Sequence, residues 1–273
     1  MTRTPAAPAA PAAFGLASWL RHAAVLTRRI LLHWRQRPGS IAVGMLFPVL
    51  IVLMFGYLFG GAMAVPDGSY TDFLIPGMLA MTMLFGLDAM VVAVTTDAAR
   101  GVTERIRAMP VSGVAVLTGR GWADLLNALV GLCVMVATGL AVGWRPGGPA
   151  PALAALGLLL WLRFAIVWIG SYLGLLLKTP EAAVSVQVLV WPVGFLSSAF
   201  VSPDTMPAWL GAIATWNPLS ATATATRDLF GNPTWAAHDW ATDHSVLLAL
   251  LWPAALTLIF LPLAYRRYRL LGR

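Results

Sequence analysis

The stretch DAARGVTERIRAMPVSGVAVLTGR, Asp97–Arg120, interrupts two long apolar runs with Asp97, Arg100, Glu104, Arg105, Arg107 and Arg120. Arg100 and Glu104 are four residues apart, and Glu104 and Arg107 are three apart. At helical spacing one acid can therefore bridge two bases along a single face. Arg105 falls on another face, free for a partner. Met109-Pro110 ends the helix, because the residue before proline avoids the α region. Two readings stand at this point. The stretch is a positively charged connector, or it is a lever that another protein pushes. A connector needs only the charges, without the helix or its stop.

The surrounding composition sets the solvent. The chain has 273 residues, of which 59% are hydrophobic and 11% charged, with a mean hydropathy of +0.78. Soluble domains carry about 25% charged residues. The composition therefore implies a polytopic, all-α membrane protein. The net charge of +7 has no separate basic domain to serve, so nucleic acid is not an expected partner. Nearly all the basic residues are Arg, which matches the Ala, Gly and Pro bias and reads as coding preference. The single cysteine, Cys133, excludes an intramolecular disulfide and a thiolate metal cluster.

Six apolar stretches are long enough to cross a bilayer, at about 20 residues each. They lie near 41–61, 74–96, 121–143, 152–177, 182–201 and 246–264. Residues 1–13 are Pro/Ala-rich and are expected to form a disordered tail. No apolar core precedes their small-residue pattern, so they read as retained rather than as a cleaved signal. Residues 14–37 read as a basic amphipathic helix lying in the membrane interface. Leu16, Trp19, Leu20, Ala23, Leu26, Ile30 and Trp34 make its apolar stripe, and Arg21, Arg28 and Arg35 lie on another face.

Basic residues concentrate in 1–37, in 97–120, at Lys178 and in 266–273, all on one side of this arrangement. The other side holds Arg145 and Arg227, together with most of the acids. The positive-inside rule then places both termini and the 97–120 stretch in the cytoplasm, and the protein in the cytoplasmic membrane. Between the fifth and sixth stretches, residues 202–245 lie outside. Their middle is too polar to span and too apolar for a plain loop. A helix dipping into the outer leaflet and an outer loop with an aromatic belt are equally compatible with this spacing.

Familiar catalytic and cofactor patterns are missing. Gly174–Thr179 lacks the glycine that a phosphate-binding loop needs before its lysine. There is no HExxH, the four histidines do not cluster, and there is no GxSxG elbow. ATP hydrolysis or other bond chemistry by this chain is not expected. Three ionisable residues fall within the spans: Asp88, Asp124 near the inner end of the third, and Arg163 in the fourth. Such charges are costly in hydrocarbon and need partners. Depth suggests an Asp88–Arg163 pair, acting either as a helix clamp or as part of a polar path.

Three segments are similar to the permease subunits of type-2 ABC exporters, closest to the daunorubicin/doxorubicin-resistance drug-efflux group. RGVTERIRAMPVS, Arg100–Ser112, followed by Leu117–Arg120, resembles the family's cytoplasmic coupling segment. FLSSAFVSPDTMPAWL, Phe195–Leu210, resembles the turn after the fifth span. WNPLSATATATRDLF, Trp216–Phe230, resembles the outer gate helix, with Asn217-Pro218 followed by Arg227. Gly113 departs from the pattern, where a larger and often basic residue is expected.

The resemblance implies a type-2 transmembrane domain over 38–273, with six spans and a re-entrant outer helix within a gate segment at 203–231. It implies two permease chains around a central path, as a homodimer, each docked on a separate ABC ATPase subunit that binds ATP and Mg. This chain would bind no cofactor itself. Arg100, Glu104, Arg105 and Arg107 become coupling residues, and Asn217, Pro218 and Arg227 outer gate residues. The cargo implied is a hydrophobic drug, antibiotic or lipid, and membrane lipid is the other partner. On the same scaffold, a permease for a lipid-linked glycan is the alternative. A lipid-modifying membrane enzyme would want a His/Asp/Glu cluster at one surface, and a proton-coupled carrier would want internal repeats; neither is evident. Met- and Phe-rich patches in the first two spans fit either an adaptable pathway or lipid contact. With the resemblance added, the lever reading of 97–120 is favoured.

Overall fold

The computed structural model describes residues 16–36, 38–60, 69–109, 112–177, 179–234 and 239–271, and these are helical almost throughout. The expected tail at 1–13, together with Lys178, lies outside the described residues.

The amphipathic leading segment forms α1 (Leu16–Gln36). It packs against α6 (Gly113–Ala141) through small residues. The Thr27 hydroxyl donates to the Ala23 and Gly119 carbonyls, both at 2.9 Å. The first apolar stretch is α2 (Pro38–Met54), prolonged by a π-helical turn, Phe55–Phe59.

The second apolar stretch is broken at Phe85 into α3 (Tyr70–Leu84) and α4 (Gly86–Ala99). Phe73, Leu74, Ile75, Met78, Leu79, Ala80 and Met81 of α3 are all completely buried. A helix apolar on every side needs neighbours on every side. α2, α6, α7 (Pro149–Leu177), α8 (Pro180–Phe195) and α10 (Pro218–Phe230) supply them. α7 is the other hub, packing on α4, α6, α10 and α12 (Ser245–Leu270).

Among the described residues, four helical runs are long and apolar enough to cross a membrane: Tyr70–Ala99, Gly113–Ala141, Pro149–Leu177 and Ser245–Leu270. Two shorter apolar helical runs, Ala42–Leu58 and Glu181–Phe195, accompany them. Length and composition thus describe a polytopic membrane protein. Expected boundaries differ at several ends, two of which show a local cause. The fifth stretch, read as 182–201, is helical only to Phe195, because the chain leaves the α region at Leu196. The third, read from 121, starts eight residues earlier at Gly113, capped by the Ser112 hydroxyl on the Ala115 N–H. The Arg120 charge marks no helix end because it is neutralised within the bundle.

Candidate functional site

Three constellations carry the chain's buried or clustered polarity. The first is the 97–120 stretch. It contains a short helix, α5 (Val102–Ala108), entered through Gly101 at φ 65°. Val102 and Ile106, four apart, lie on one face and join an apolar cluster formed by Val94, Val116, Leu117, Leu175 and Tyr268. Ile106 is buried, whereas Arg100, Glu104 and Arg105 are exposed. α5 is therefore plugged into the bundle by its apolar face and presents charge outward.

Among the described residues, Glu104 makes no ion pair with Arg100; the side chain of Arg107 lies outside the described set. The ion pair of this stretch joins its two ends, Asp97 of α4 and Arg120 of α6. The bridge expected inside α5 is thus replaced, for Arg100, by one that closes the base of the segment. At Gly113 the departure from the family pattern has a packing counterpart. A Cβ there would sit 2.9 Å from the ring of Tyr268, so the small residue and the buried ring fit as a pair.

The second constellation is in the middle of the bundle. Arg163 of α7 is 3% exposed and Asp124 of α6 is 8% exposed. Nε of Arg163 donates to Asp124 Oδ2 at 2.6 Å and Nη2 donates to Oδ1 at 2.7 Å, a bidentate pair. Nη1 donates to the Met83 carbonyl at 2.9 Å, beside the break between α3 and α4. A side chain bonded into the i→i−4 ladder is a recognised cause of such a break. Gly86 leaves the room: a Cβ there would fall 0.8 Å from Nη1.

The expected Asp88–Arg163 pair is thereby corrected. The carboxylate bound to Arg163 is that of Asp124, and Asp88 meets the guanidinium only through space. Asp88 accepts from the Ala89 N–H at 2.9 Å and lies within hydrogen-bonding reach of the Gln187 side chain on α8. Starting α6 at residue 121 placed Asp124 too near the surface. With the true start it lies about three turns in.

The third constellation surrounds α10, at the end of the bundle opposite α5. Asn217 is its N-cap, with Oδ1 accepting from the Leu219 N–H at 2.9 Å, and Pro218 occupies N1. The Asn217 amide nitrogen donates to Val193 O at 3.0 Å and Leu196 O at 2.6 Å. These are carbonyls that the end of α8 leaves without helical partners. One side chain thus caps two helices. The Schellman ending at Gly231, φ 68°, closes the other end of α10.

Arg227 is 1% exposed. Its Nε donates to Phe73 O at 3.0 Å, and Nη2 donates to Ser198 O at 2.9 Å and Ala199 O at 3.0 Å. Its guanidinium carbon lies 3.6 Å from the centroid of the Phe73 ring. Arg227 therefore ties α10 to α3 and to the turn after α8. Ser220 reinforces the same junction, accepting from the Ser198 N–H at 2.9 Å.

The geometry is that of a helical bundle with a charged, plugged helix at one end and a doubly capped polar helix at the other. The sequence profile of the ABC-2 type transporter family matches residues 22–230, which hold α5, the buried ion pair and α10. The chain belongs to the ABC-2 type transporter family. The chain is 34% identical over 243 residues to the daunorubicin resistance ABC transporter permease protein DrrB1 of Streptomyces coeruleorubidus, covering 88% of this chain and 83% of that protein. It is 26% identical over 216 residues to the transport permease ycf38 of Cyanophora paradoxa, 77% of this chain and 74% of the relative. Identity to the doxorubicin resistance permease DrrC of Mycobacterium tuberculosis is 22% over 203 residues, 74% of each chain. This ABC-2 permease is thus a member of a family of transporter membrane subunits, and membership implies an ABC ATPase partner.

Two elements of these sites escaped the sequence reading. Ile106 carries no charge, and its only local signal is the i,i+4 spacing with Val102. The second role of Asn217, capping α8, had no local signal, since its partners lie more than twenty residues away.

Proposed function

We propose that this chain is the membrane-spanning subunit of an ATP-driven exporter that moves a hydrophobic small molecule (a drug, antibiotic or lipid) out across the cytoplasmic membrane. Two copies pair as a homodimer, and each docks a separate ATPase that binds ATP and Mg. The six spans are α2, α3–α4, α6, α7, α8 and α12, with both termini in the cytoplasm. α9 (Ala208–Thr215) and α10 form the re-entrant outer segment. α8, at 16 residues, covers only about 24 Å, which a bilayer meets by local thinning.

The observation that carries this reading is the build of α5. Its Val102–Ile106 face is seated among α4, α6, α7 and α12, and Glu104 and Arg105 project outward. Force applied by an ATPase to the exposed charges passes through Ile106 and the Asp97–Arg120 pair into the four spans that hold α4, α6, α7 and α12. Packed interiors transmit such strain because they are close-packed. At the far end, Asn217 and Arg227 hold the gate helix against α3 and α8, so relative motion of these helices bears on α10. The drug-resistance names of two relatives support a hydrophobic, drug-like cargo.

The test is co-purification with a co-expressed ABC ATPase, followed by reconstitution in vesicles. ATP turnover that responds to an anthracycline-type compound is expected. Full transport by the chain alone, with no ATPase present, would refute the proposal.

A further inference from the structure

Arg227 is a buried cation with no carboxylate bound to it among the described residues. Asp228, its neighbour, accepts from the Ser245 hydroxyl at 3.0 Å instead. The hydrogen bonds of Arg227 use Nε and Nη2, all to carbonyl oxygens. Among the described residues Nη1 has no such bond. The Phe73 ring face offsets part of the charge. Asp228 attracts the guanidinium through space without binding it, and a buried cation with no anion in contact is nonetheless expensive.

Arg227 lines a cavity of about 30 Å³. Its other polar walls are hydroxyls: Ser198, Ser220, Thr215, Thr224, Thr234 and Thr242. Among the described residues no acid lines it. Those of Thr215 and Thr242 make no hydrogen bond among the described residues, and that of Thr224 meets only Ser198, at 3.4 Å. The walls are thus rich in uncommitted donors around a cation. About 10–15 Å³ holds one water, so the space admits a single ion somewhat larger than water. Water alone would leave the guanidinium with only the through-space pull of Asp228 and no anion in contact. A small monovalent anion would balance it and accept from several hydroxyls at once, in surroundings where the attraction is strengthened by the low dielectric.

We infer that this cavity is a halide site, with chloride the physiological occupant, held by Arg227 and the hydroxyls of Thr224, Thr215 and Thr242. The ion ties α10 to the turn after α8 and to the short helix α11 (Trp240–Asp243), and so stiffens the gate segment. The inference does not depend on what the permease carries.

Purified full-length protein is exchanged into sodium chloride, bromide or gluconate at equal ionic strength, and unfolding is followed by tryptophan fluorescence. Chloride and bromide are expected to raise Tm saturably over gluconate, which is too large to enter. Thr242→Val and Thr224→Val, each removing one donor hydroxyl, should weaken the apparent halide affinity by about tenfold, the worth of a hydrogen bond to a charged group. Bromide crystals should give an anomalous peak in the cavity. Equal Tm in all three salts, an unchanged halide response in both variants, or water only at that position would overturn the inference.

Discussion

Replacing Asp124 with Asn removes one charge from the centre of the bundle and almost no volume. The structure specifies the consequence. Arg163 would keep its bond to Met83 O but lose the bidentate carboxylate, while remaining 3% exposed. Breaking a buried pair by removing one partner costs about 3–5 kcal/mol, because the remaining charge stays buried. Asp124→Asn should therefore lower the free energy of unfolding by about 3 kcal/mol, the low end because an amide oxygen still accepts one hydrogen bond. Asp88→Asn should cost under about 1 kcal/mol, since Asp88 is only half-buried and its partners are a backbone N–H and a side-chain amide. The double change Asp124→Leu with Arg163→Met should recover most of the loss, as apolar replacements of buried pairs do. The assay is equilibrium unfolding in mixed micelles, with folded yield as a second readout. Equal losses for Asp88→Asn and Asp124→Asn would refute the pairing, as would a double variant no better than the singles.

Gly86→Ala should be nearly as damaging as Asp124→Asn, because its methyl group would occupy the guanidinium seat; normal thermal stability in that variant would contradict the geometry. Ile106→Ala should lose substrate-stimulated ATP turnover while ATPase binding survives, since about 2–4 kcal/mol of packing leaves the plug and not the charged face. Glu104→Arg should instead abolish coupling or ATPase binding in a chain that inserts normally, measured by export and membrane yield. Asn217→Asp keeps the helix cap but sets a carboxylate against Val193 O and Leu196 O, and should cost at least as much as Asn217→Ala, about 1–3 kcal/mol by denaturant titration. Gly113→Leu should destabilise by about 1–3 kcal/mol through the clash with Tyr268, relieved when Tyr268 is also changed to Ala.

The helical, membrane-crossing character was legible from composition and from apolar runs, because lipid imposes a length and a polarity on every span. The α5 stretch and the start of α10 were legible as local patterns: charges at helical spacing before a proline, and Asn-Pro at a helix start. These are local because capping and side-chain pairing within one turn act over a few residues. Where the signal required a partner far along the chain, inference weakened. Depth put Asp88 and Arg163 at similar levels, but depth does not say which face of a helix meets which neighbour.

From the sequence alone came the solvent, the approximate positions of the apolar helices and the charged break at Asp97–Arg120. Tertiary structure alone decided how that break is built. Asp97 and Arg120 bind each other across its base, Ile106 anchors it, and Tyr268 occupies the space that Gly113 leaves. The same holds for Arg163, whose partner is Asp124 rather than Asp88. The reason is common to both. A buried charge must be matched in the folded bundle, and the match depends on rotation and contact of whole helices, which no local spacing encodes.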